Sequence, residues 1–576
     1  MVGKIFDKGR KFLTSPQTTV LSAATIIMLM VVASRVLGLV RQRTLALFFN
    51  PNELSLFFAA FRLPDLIFEI LVFGTFSSAF IPVFTKSLKN GEKEAWEIAG
   101  RVVNLGLLFF TLAALIFGLL APKIYGVIAP GYSDPETVRI ASLARILFAA
   151  QGFFVVSYVL TGVLESLRRF LVPALAPLFY NLGIILGTVF LAPKIGLYGP
   201  AVGVVVGALC HLLIQLPLAI KLGFRFIPSL RPTAGVKEIG RLSLPRLFDL
   251  IAEQIQKTVE LSLASIISTA SYTYFTLGAT LQLLPVSLFG VSLAKAALPT
   301  LSRQTGNPHE FKKTLFTTLY QIVFLASPLA ATLVILRIPL VRLIFGTHIF
   351  DWEATVQTGL VLSSFAIGIV FQSVTSVLER AFYALHDMKT PVTVSIISLT
   401  MIVFGDFILI KGFSFPVWGL ATSFSVGIIF QTITLYLLLN RKLGGGKEFT
   451  NFAPLIKSIL ATLTSGGIMY FLLKVFDKSV WVKRLSFLGR LDKVTSVIPF
   501  EKFVLDTRYT VNLLILSSFV ILVGVAVYLF VSLILRSNEL FYFVNLLKRM
   551  FIGRKIEPVP AKEPEPVSPT PPEITS

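Results

Sequence analysis

The chain has 576 residues, is 55% hydrophobic and only 14% charged, and has a mean hydropathy of +0.81. A soluble domain carries about 25% charged residues, so a soluble globular fold is excluded. The formal net charge of +22 is scattered through short loops, which fits loop-charge topology and attraction to anionic lipid rather than nucleic-acid binding.

Apolar runs of about 20 residues recur from end to end, each long enough to cross hydrocarbon. Such spans must be helices, because a helix satisfies its own backbone polar groups. The alternating pattern of a membrane β-barrel is absent. The expected fold class is an all-α polytopic membrane protein with about fourteen transmembrane helices. Cys210 is the only cysteine, which excludes a disulfide and a Cys-based metal site.

Residues 1–18 form a basic, amphipathic lead-in, read as cytoplasmic rather than as a cleaved signal because the apolar run behind it is long and ends in Arg35. The first expected span, 19–48, contains VVASRVLGLVRQRTLALFF, with Arg35, Arg41 and a loosening Gly38. The second, 54–86, carries Arg62, Asp65 and Glu69 and is interrupted by Pro64. A charge at bilayer depth costs about 2.5–3.5 kcal/mol on insertion scales, so these residues point to a wet, positively lined cavity.

Spans three to six are expected at 95–121, 137–166, 171–192 and 197–221. In the sixth, His211 and Gln215 lie one turn apart and read as an interhelical hydrogen-bond pair. The seventh, 238–267, places Asp249, Glu253, Lys257 and Glu260 at spacings of four, four and three, hence on one face. Gln256 borders that stripe and Gln254 is turned away from it. The stripe is read as a cavity wall; the other reading is a set of Glu253–Lys257 and Lys257–Glu260 pairs sealing the helix against a neighbour.

The remaining spans are expected at 272–302, 312–346, 354–385, 391–411, 416–440, 452–475 and 511–535. Asp406 lies inside the eleventh and is a candidate for a proton or cation role. The segment 477–510 holds Lys478, Lys483, Arg484, Arg490, Lys493, Lys502 and Arg508, and reads as a surface-lying amphipathic helix. Residues 537–576 end in a Pro- and Glu-rich stretch expected to be a disordered cytoplasmic tail.

Loop charge orients the chain. The loops 85–94, 165–170, 221–241, 302–313 and 440–449 are rich in Lys and Arg, whereas 129–136, 268–273 and 346–353 carry almost none. Both termini are therefore expected in the cytoplasm. A faint repeat also runs through the chain. GVLESLRRFLVPALAP (162–177) parallels SVLERAFYALHDMKTP (376–391), and the segment 196–216 parallels 415–435. An even number of spans separates the copies, so both have one orientation, a transporter arrangement. The expected domains are an N-lobe (19–221), a C-lobe (222–440) and a pair of spans with an outer loop (441–536). No phosphate-binding loop, His or Cys cluster with metal spacing, or nucleophile elbow is present, so nothing asks for an enzyme.

Several segments resemble the MurJ (MviN) lipid II flippases of the MOP transporter superfamily. These are SRVLGLVR (34–41), FFAAFRLPDL (57–66) with SSAFIPVF (77–84), RFLVPALAPLFYN (169–181), LPVSLFGVSLAKAALPTLS (284–302) and FYALHDMKTPV (382–392). They keep order over most of 19–440. The chain departs from that pattern at Ser55, where the family has an acid, at Phe68 and Glu69, where it has an Arg pair, at Phe73 and Gly74, where it has Glu-Gly, and at Thr280, where it has an Arg.

The resemblance implies two six-helix lobes around a central cavity, with spans thirteen and fourteen forming a side groove for a polyprenyl tail. It implies movement of undecaprenyl-diphosphate-linked peptidoglycan precursor from the inner to the outer leaflet of the bacterial inner membrane by alternating access. Arg35, Arg41 and Arg62 would hold the diphosphate, with Lys257 substituting for the missing eighth-span Arg. Asp65, Glu69, Glu253 and Glu260 would line the cavity. Na+ or H+ at Asp249 and Asp406, or membrane potential, would drive transport, with no cofactor. Lipid II and membrane lipids are the expected partners, and the chain is expected to act as a monomer. The alternatives are a flippase for another polyprenyl-diphosphate-linked glycan and a cation-coupled drug exporter of the same superfamily. An embedded glycosyltransferase would need a soluble loop with metal-binding acids, which the sequence lacks.

Overall fold

The computed structural model describes residues 20–73, 79–224, 229–477 and 509–551, and every element among them is a helix. The lead-in, nearly all of the basic segment 477–510 and the Pro-rich end of the tail lie outside the described residues. In chain order the first elements are α1 (Val20–Phe48), α2 (Pro51–Ala60), α3 (Arg62–Phe68), α4 (Ile81–Asn90) and α5 (Glu92–Ile128). They are followed by α6 (Asp134–Ser166), α7 (Leu171–Leu186), α8 (Ala192–Ile195) and α9 (Tyr198–Lys221). Next come α10 (Ala234–Ile267), α11 (Ser271–Pro285), α12 (Ser292–Arg303), α13 (Pro308–Ile335) and α14 (Arg337–Phe345). The last are α15 (Trp352–Ala384), α16 (Lys389–Phe407), α17 (Trp418–Lys442), α18 (Lys447–Thr450), α19 (Ala453–Phe476), α20 (Thr510–Ile534) and α21 (Asn538–Phe551).

Eleven helical rods among the described residues are long and apolar enough to cross a membrane, against the fourteen or so predicted. The three expected spans outside that set are the first, second and seventh, which each carry two or more charges at membrane depth.

The second span breaks where its sequence demands it. Pro64 has no N–H to donate, and its ring excludes the carbonyl four residues earlier, that of Ala60. Tyr125 of α5 takes up both loose ends. Its hydroxyl donates to Ala60 O at 2.9 Å and accepts from Leu63 N–H at 3.4 Å. The step between α2 and α3 thus falls immediately before Arg62. A π-helical turn at Glu69–Phe73 then shifts the register again. Similar turns lie at Gly187–Leu191, at Val286–Val291 directly after Pro285, and at Ile408–Gly412. Such turns cluster at functional sites. α1, by contrast, passes through Gly38 without interruption.

Close helix crossings hold the frame. α9 lies on α7 through facing glycines; a Cβ on Gly183 would come within 2.4 Å of Gly207 Cα. Small residues let backbones approach in lipid, where packing rather than the hydrophobic effect joins helices. The repeat seen in the sequence reappears in the backbone. α9 packs on α6 and α7, and α17 packs in the same way on α15 and α16. Arg168 and His386, which lie just past the helix end within each copy of the motif, both adopt a left-handed conformation with φ 58°. The next amides, Arg169 N–H and Asp387 N–H, reach back to Leu164 O at 2.8 Å and Phe382 O at 2.9 Å. Both turns are therefore the same helix stop. The shared Val-Leu-Glu lies one helical turn further from that stop in the second copy.

The C-terminal pair is α19 on α20, with Ser465 Oγ donating to Gly524 O at 2.7 Å. The tail expected from residue 537 instead begins as helix α21. Leu540 is buried in a small cluster with Phe324, Ala461 and Tyr528, and the Phe543 ring stacks on Phe324. That apolar stripe holds the start of the segment in place, a feature hidden by the Pro-rich composition further on.

Candidate functional site

The charged residues of the second and seventh spans meet inside the bundle. Arg62 is only 5% exposed. Its Nε donates to Thr258 Oγ1 at 3.0 Å and its Nη2 to Gln254 O at 3.0 Å, and Nη2 also bonds Gln254 Oε1. Gln254 Nε2 in turn bonds Glu69. Lys257 Nζ reaches Glu69 at 3.2 Å and Glu253 at 2.8 Å. Gln151 of α6 donates to Asp65, and Gln256 Nε2 donates to Glu260 at 2.8 Å. One contiguous network, from Arg62 through Gln254 and Glu69 to Lys257 and Glu253, therefore joins α3, the π turn behind it and α10, and the Gln151–Asp65 and Gln256–Glu260 bonds are separate from it. A charge taken out of water needs such partners, since an unpaired one is expensive at this depth.

The sequence stripe is thus only partly one unit. Glu253 and Lys257 pair as the spacing predicts, whereas Glu260 bonds Gln256 and Lys257's further partner is Glu69. Gln254, turned away from the stripe, is the residue that connects Arg62 to Glu69. Asp249 lies elsewhere, accepting from Ser395 Oγ of α16 at 3.0 Å. Asp406, on the same α16, is eleven residues beyond Ser395, about 16 Å along the helix. The two acids expected to share a cation site are therefore apart. Asp406 is fully buried, and its electrostatic neighbour is Glu260 rather than Asp249.

The three arginines sit in three settings. Arg62 is bound into the network, with its Nη1 unpartnered among the described residues. Arg41 is half-buried on α1, has no ion-pair or hydrogen-bond partner among the described residues, and lies within electrostatic reach of Tyr180 of α7. Arg35 is exposed on the same helix. Six residues separate it from Arg41, which turns the two side chains about 120° apart. Tyr180 belongs to an aromatic wall in which Phe154 packs on Phe68, Tyr158, Tyr180 and His211. The His211–Gln215 pair is structural, as its sequence suggests. It ties α9 to α6 through Ser157 Oγ, 2.6 Å from His211 Nδ1, and Thr161, which donates to Gln215 Oε1 at 2.8 Å.

The departures at Ser55 and Thr280 are uncharged in fact as well as in type. Ser55 Oγ bonds the Tyr132 hydroxyl at 2.7 Å, and Thr280 Oγ1 bonds its own helix at Thr276 O. An apolar groove of about 570 Å³ opens among α13, α15, α17 and α19, lined by residues such as Val323, Val370, Phe371, Ile433 and Leu463. Span fourteen, expected to share such a groove, contributes none of its lining. α20 lies instead against the α19 face that presents Ser465 and Met469, where Gly524 leaves room for the Met469 sulfur.

Comparison with known proteins matches this arrangement. A curated relative from Burkholderia cenocepacia, named lipid II flippase MurJ, is 27% identical over 423 residues, covering 71% of this chain and 81% of the relative. One from Thermotoga maritima, named probable lipid II flippase MurJ, is 28% identical and covers 71% of this chain and 84% of the relative. Among solved structures, the inward closed conformation of a lipid II flippase MurJ superposes with a TM-score of 0.71 at 22% identity, covering 91% of this chain and 100% of that one. An inward-facing multidrug transporter of the MATE family in the MOP superfamily gives 0.59 at 15% identity, covering 71% and 94%. These likenesses show the fold. The family model described as lipid II flippase MurJ matches residues 45–490, which takes in the Arg62 network, the aromatic wall and the groove, and by that match the chain belongs to the MurJ lipid II flippase family.

Proposed function

We propose that this chain carries lipid II, the undecaprenyl-diphosphate-linked peptidoglycan precursor, from the inner to the outer leaflet of a bacterial inner membrane. The observation that supports this best is Arg41, a half-buried guanidinium at membrane depth with no anionic partner among the described residues. A diphosphate cannot cross hydrocarbon unaided, and a planar guanidinium matches its oxygens in a fork. Arg41 serves as the principal contact, Arg35 as an entry contact and Arg62 through its remaining Nη1. Lys257 joins them through the network it shares with Arg62, and Asp65, Glu69, Glu253 and Glu260 line the wall around the sugar-peptide headgroup. The polyprenyl tail lies in the apolar groove beside α19.

The chain works as a transporter rather than as a catalyst, by rocking residues 19–221 against 222–440 around the cavity. It acts as a monomer with both termini in the cytoplasm. Binding alone would only equalise the leaflets, so an ion or the membrane potential drives net transport. Asp406 carries the proton or Na+ in this reading, which its complete burial supports. A second reading, a different polyprenyl-diphosphate-linked glycan, is favoured by Glu69 standing where the family has Arg.

Arg41→Ala, expressed at normal membrane levels, should fail to rescue a strain depleted of its lipid II flippase; full growth would remove the assignment. The lipid-linked glycan that accumulates when this chain is depleted in its own host distinguishes the two headgroups.

A further inference from the structure

At one end of the bundle, the early and late helices are tied by four direct contacts. Thr273 Oγ1 donates to Pro51 O at 2.6 Å, and Gly131 N–H donates to Ser265 Oγ at 3.1 Å. Thr347 Oγ1 donates to Ala46 O at 2.9 Å while accepting from Phe350 N–H at 2.9 Å. The fourth is Arg43 of α1. Its Nη1 donates to Leu343 O at 2.6 Å and to Ile344 O at 2.9 Å. The contacts fall at or next to 129–136, 268–273 and 346–353, the loops poor in Lys and Arg and therefore expected outside.

Arg43 alone brings a charge to these four contacts. Its acceptors are special. α14 ends at Phe345, so the carbonyls of its last turn have no partners within the helix and carry the negative end of its dipole. A guanidinium from another helix satisfies two of them at once. The bond exists only while α1 and α14 stay together. When they part, the arginine and both carbonyls must find water instead. The charge is thus placed where it favours the closed arrangement of this end over an open one.

We propose that Arg43 is a latch for the outer end of the transport path: it caps α14 in the closed state and releases it when the chain opens outward. This rests on the alternating-access reading above but not on the identity of the lipid. Its test needs no substrate.

In a Cys210→Ser background, spin labels at Pro135→Cys and Glu353→Cys would bracket the outer mouth, one on the start of α6 and one on the start of α15. Double electron–electron resonance on the full chain in lipid nanodiscs reads the distance between them. With Arg43 present, the short distance of the closed state should dominate. Arg43→Gln should raise the ratio of long to short distances about tenfold, the size expected for losing charge-assisted bonds. Arg43→Lys, which keeps the charge but not the fork, should fall between the two and guards against a Gln variant that does not fold. An unchanged distribution in either folded variant would overturn the latch. If the latch holds while rescue of a flippase-depleted strain fails for the unmodified chain, the proposed substrate is wrong and the gate assignment stands.

Discussion

Lys257 and Glu69 lie 3.2 Å apart across the contact between α10 and the second span, and Glu253 approaches the same ammonium at 2.8 Å. Two carboxylates thus share one cation. The three side chains are between 30% and 47% exposed, so the pairing adds little to stability. Its consequence is electrostatic: the Lys257 ammonium, proposed above as an anion contact, is already engaged by two carboxylates.

Removing one of its partners should release it. Glu69→Gln keeps the shape and the acceptor for Gln254 but deletes a charge beside the cavity. Binding of lipid II to the purified protein, followed by native mass spectrometry in detergent, should tighten by about 3- to 10-fold, equivalent to roughly 1 kcal/mol. Weaker binding would mean that Glu69 contacts the headgroup itself and that Lys257 is not an anion site.

Arg62 and Arg41 should behave differently, although both read from sequence as diphosphate contacts. Arg62→Ala leaves the side-chain oxygen of the buried Gln254 without its guanidinium donor. A loss of about 2–4 kcal/mol is expected, seen as a lower thermal unfolding temperature in detergent. Arg41→Ala breaks no hydrogen bond of the folded chain and should leave that temperature unchanged while abolishing transport. Equal destabilisation by both variants would put Arg41 in the scaffold.

The contrast marks where sequence patterns stop being informative. Span positions, the basic-loop asymmetry and the polar face of α10 follow from hydropathy and helical period, which are local properties. The partner of that face is not local. Gln254 bridges Arg62 and Glu69, which stand seven residues apart on one face of the second span; which helix meets that face is set by tertiary packing, and a helical wheel cannot show it. Asp249 and Asp406 read as a cation site because both are acids at membrane depth. Ser395 binds Asp249 about three turns away from Asp406, a separation set by how α10 crosses α16. Arg43 carries no local signal, since its carbonyl partners lie 300 residues away.

At the end where the basic loops lie, Asp387 offers a pH-dependent test. Burial alone would raise its carboxyl, but bonds from Lys442 and from the Thr390 hydroxyl and amide outweigh this and hold it at about 2. A depressed acid contributes stability above its unfolded value, about 3.9, and loses that contribution as pH falls through about 2. Asp387→Asn, which keeps an acceptor for the Thr390 amide but loses the ion pair with the partly exposed Lys442, should therefore cost about 0.5 kcal/mol at every pH from 5 to 8. The gap between the two proteins should close between pH 4 and 2. A gap that persists undiminished at pH 2 would show that the carboxylate charge is irrelevant to this turn.

Asp406 poses the sharpest energetic question. It is fully buried on α16, neither carboxylate oxygen has a hydrogen-bond partner among the described residues, and the neighbouring Ser423 hydroxyl does not close a bond with it. Glu260 is its electrostatic neighbour, which adds repulsion rather than relief. A bare carboxylate cannot be sustained in such a place, so a proton or a cation must accompany it. Transport that depends on that companion would follow its binding and release. Asp406→Asn keeps the volume and gives up no hydrogen bond of the folded chain, so the protein should unfold at the same temperature or higher. Flipping of labelled lipid II in reconstituted vesicles should lose its dependence on a Na+ or pH gradient, with lipid binding in detergent retained. Asp249→Asn, whose carboxylate is already held by Ser395, should keep that dependence. If Asp406→Asn leaves the gradient dependence intact, the driving ion acts elsewhere and the burial of this acid serves packing alone.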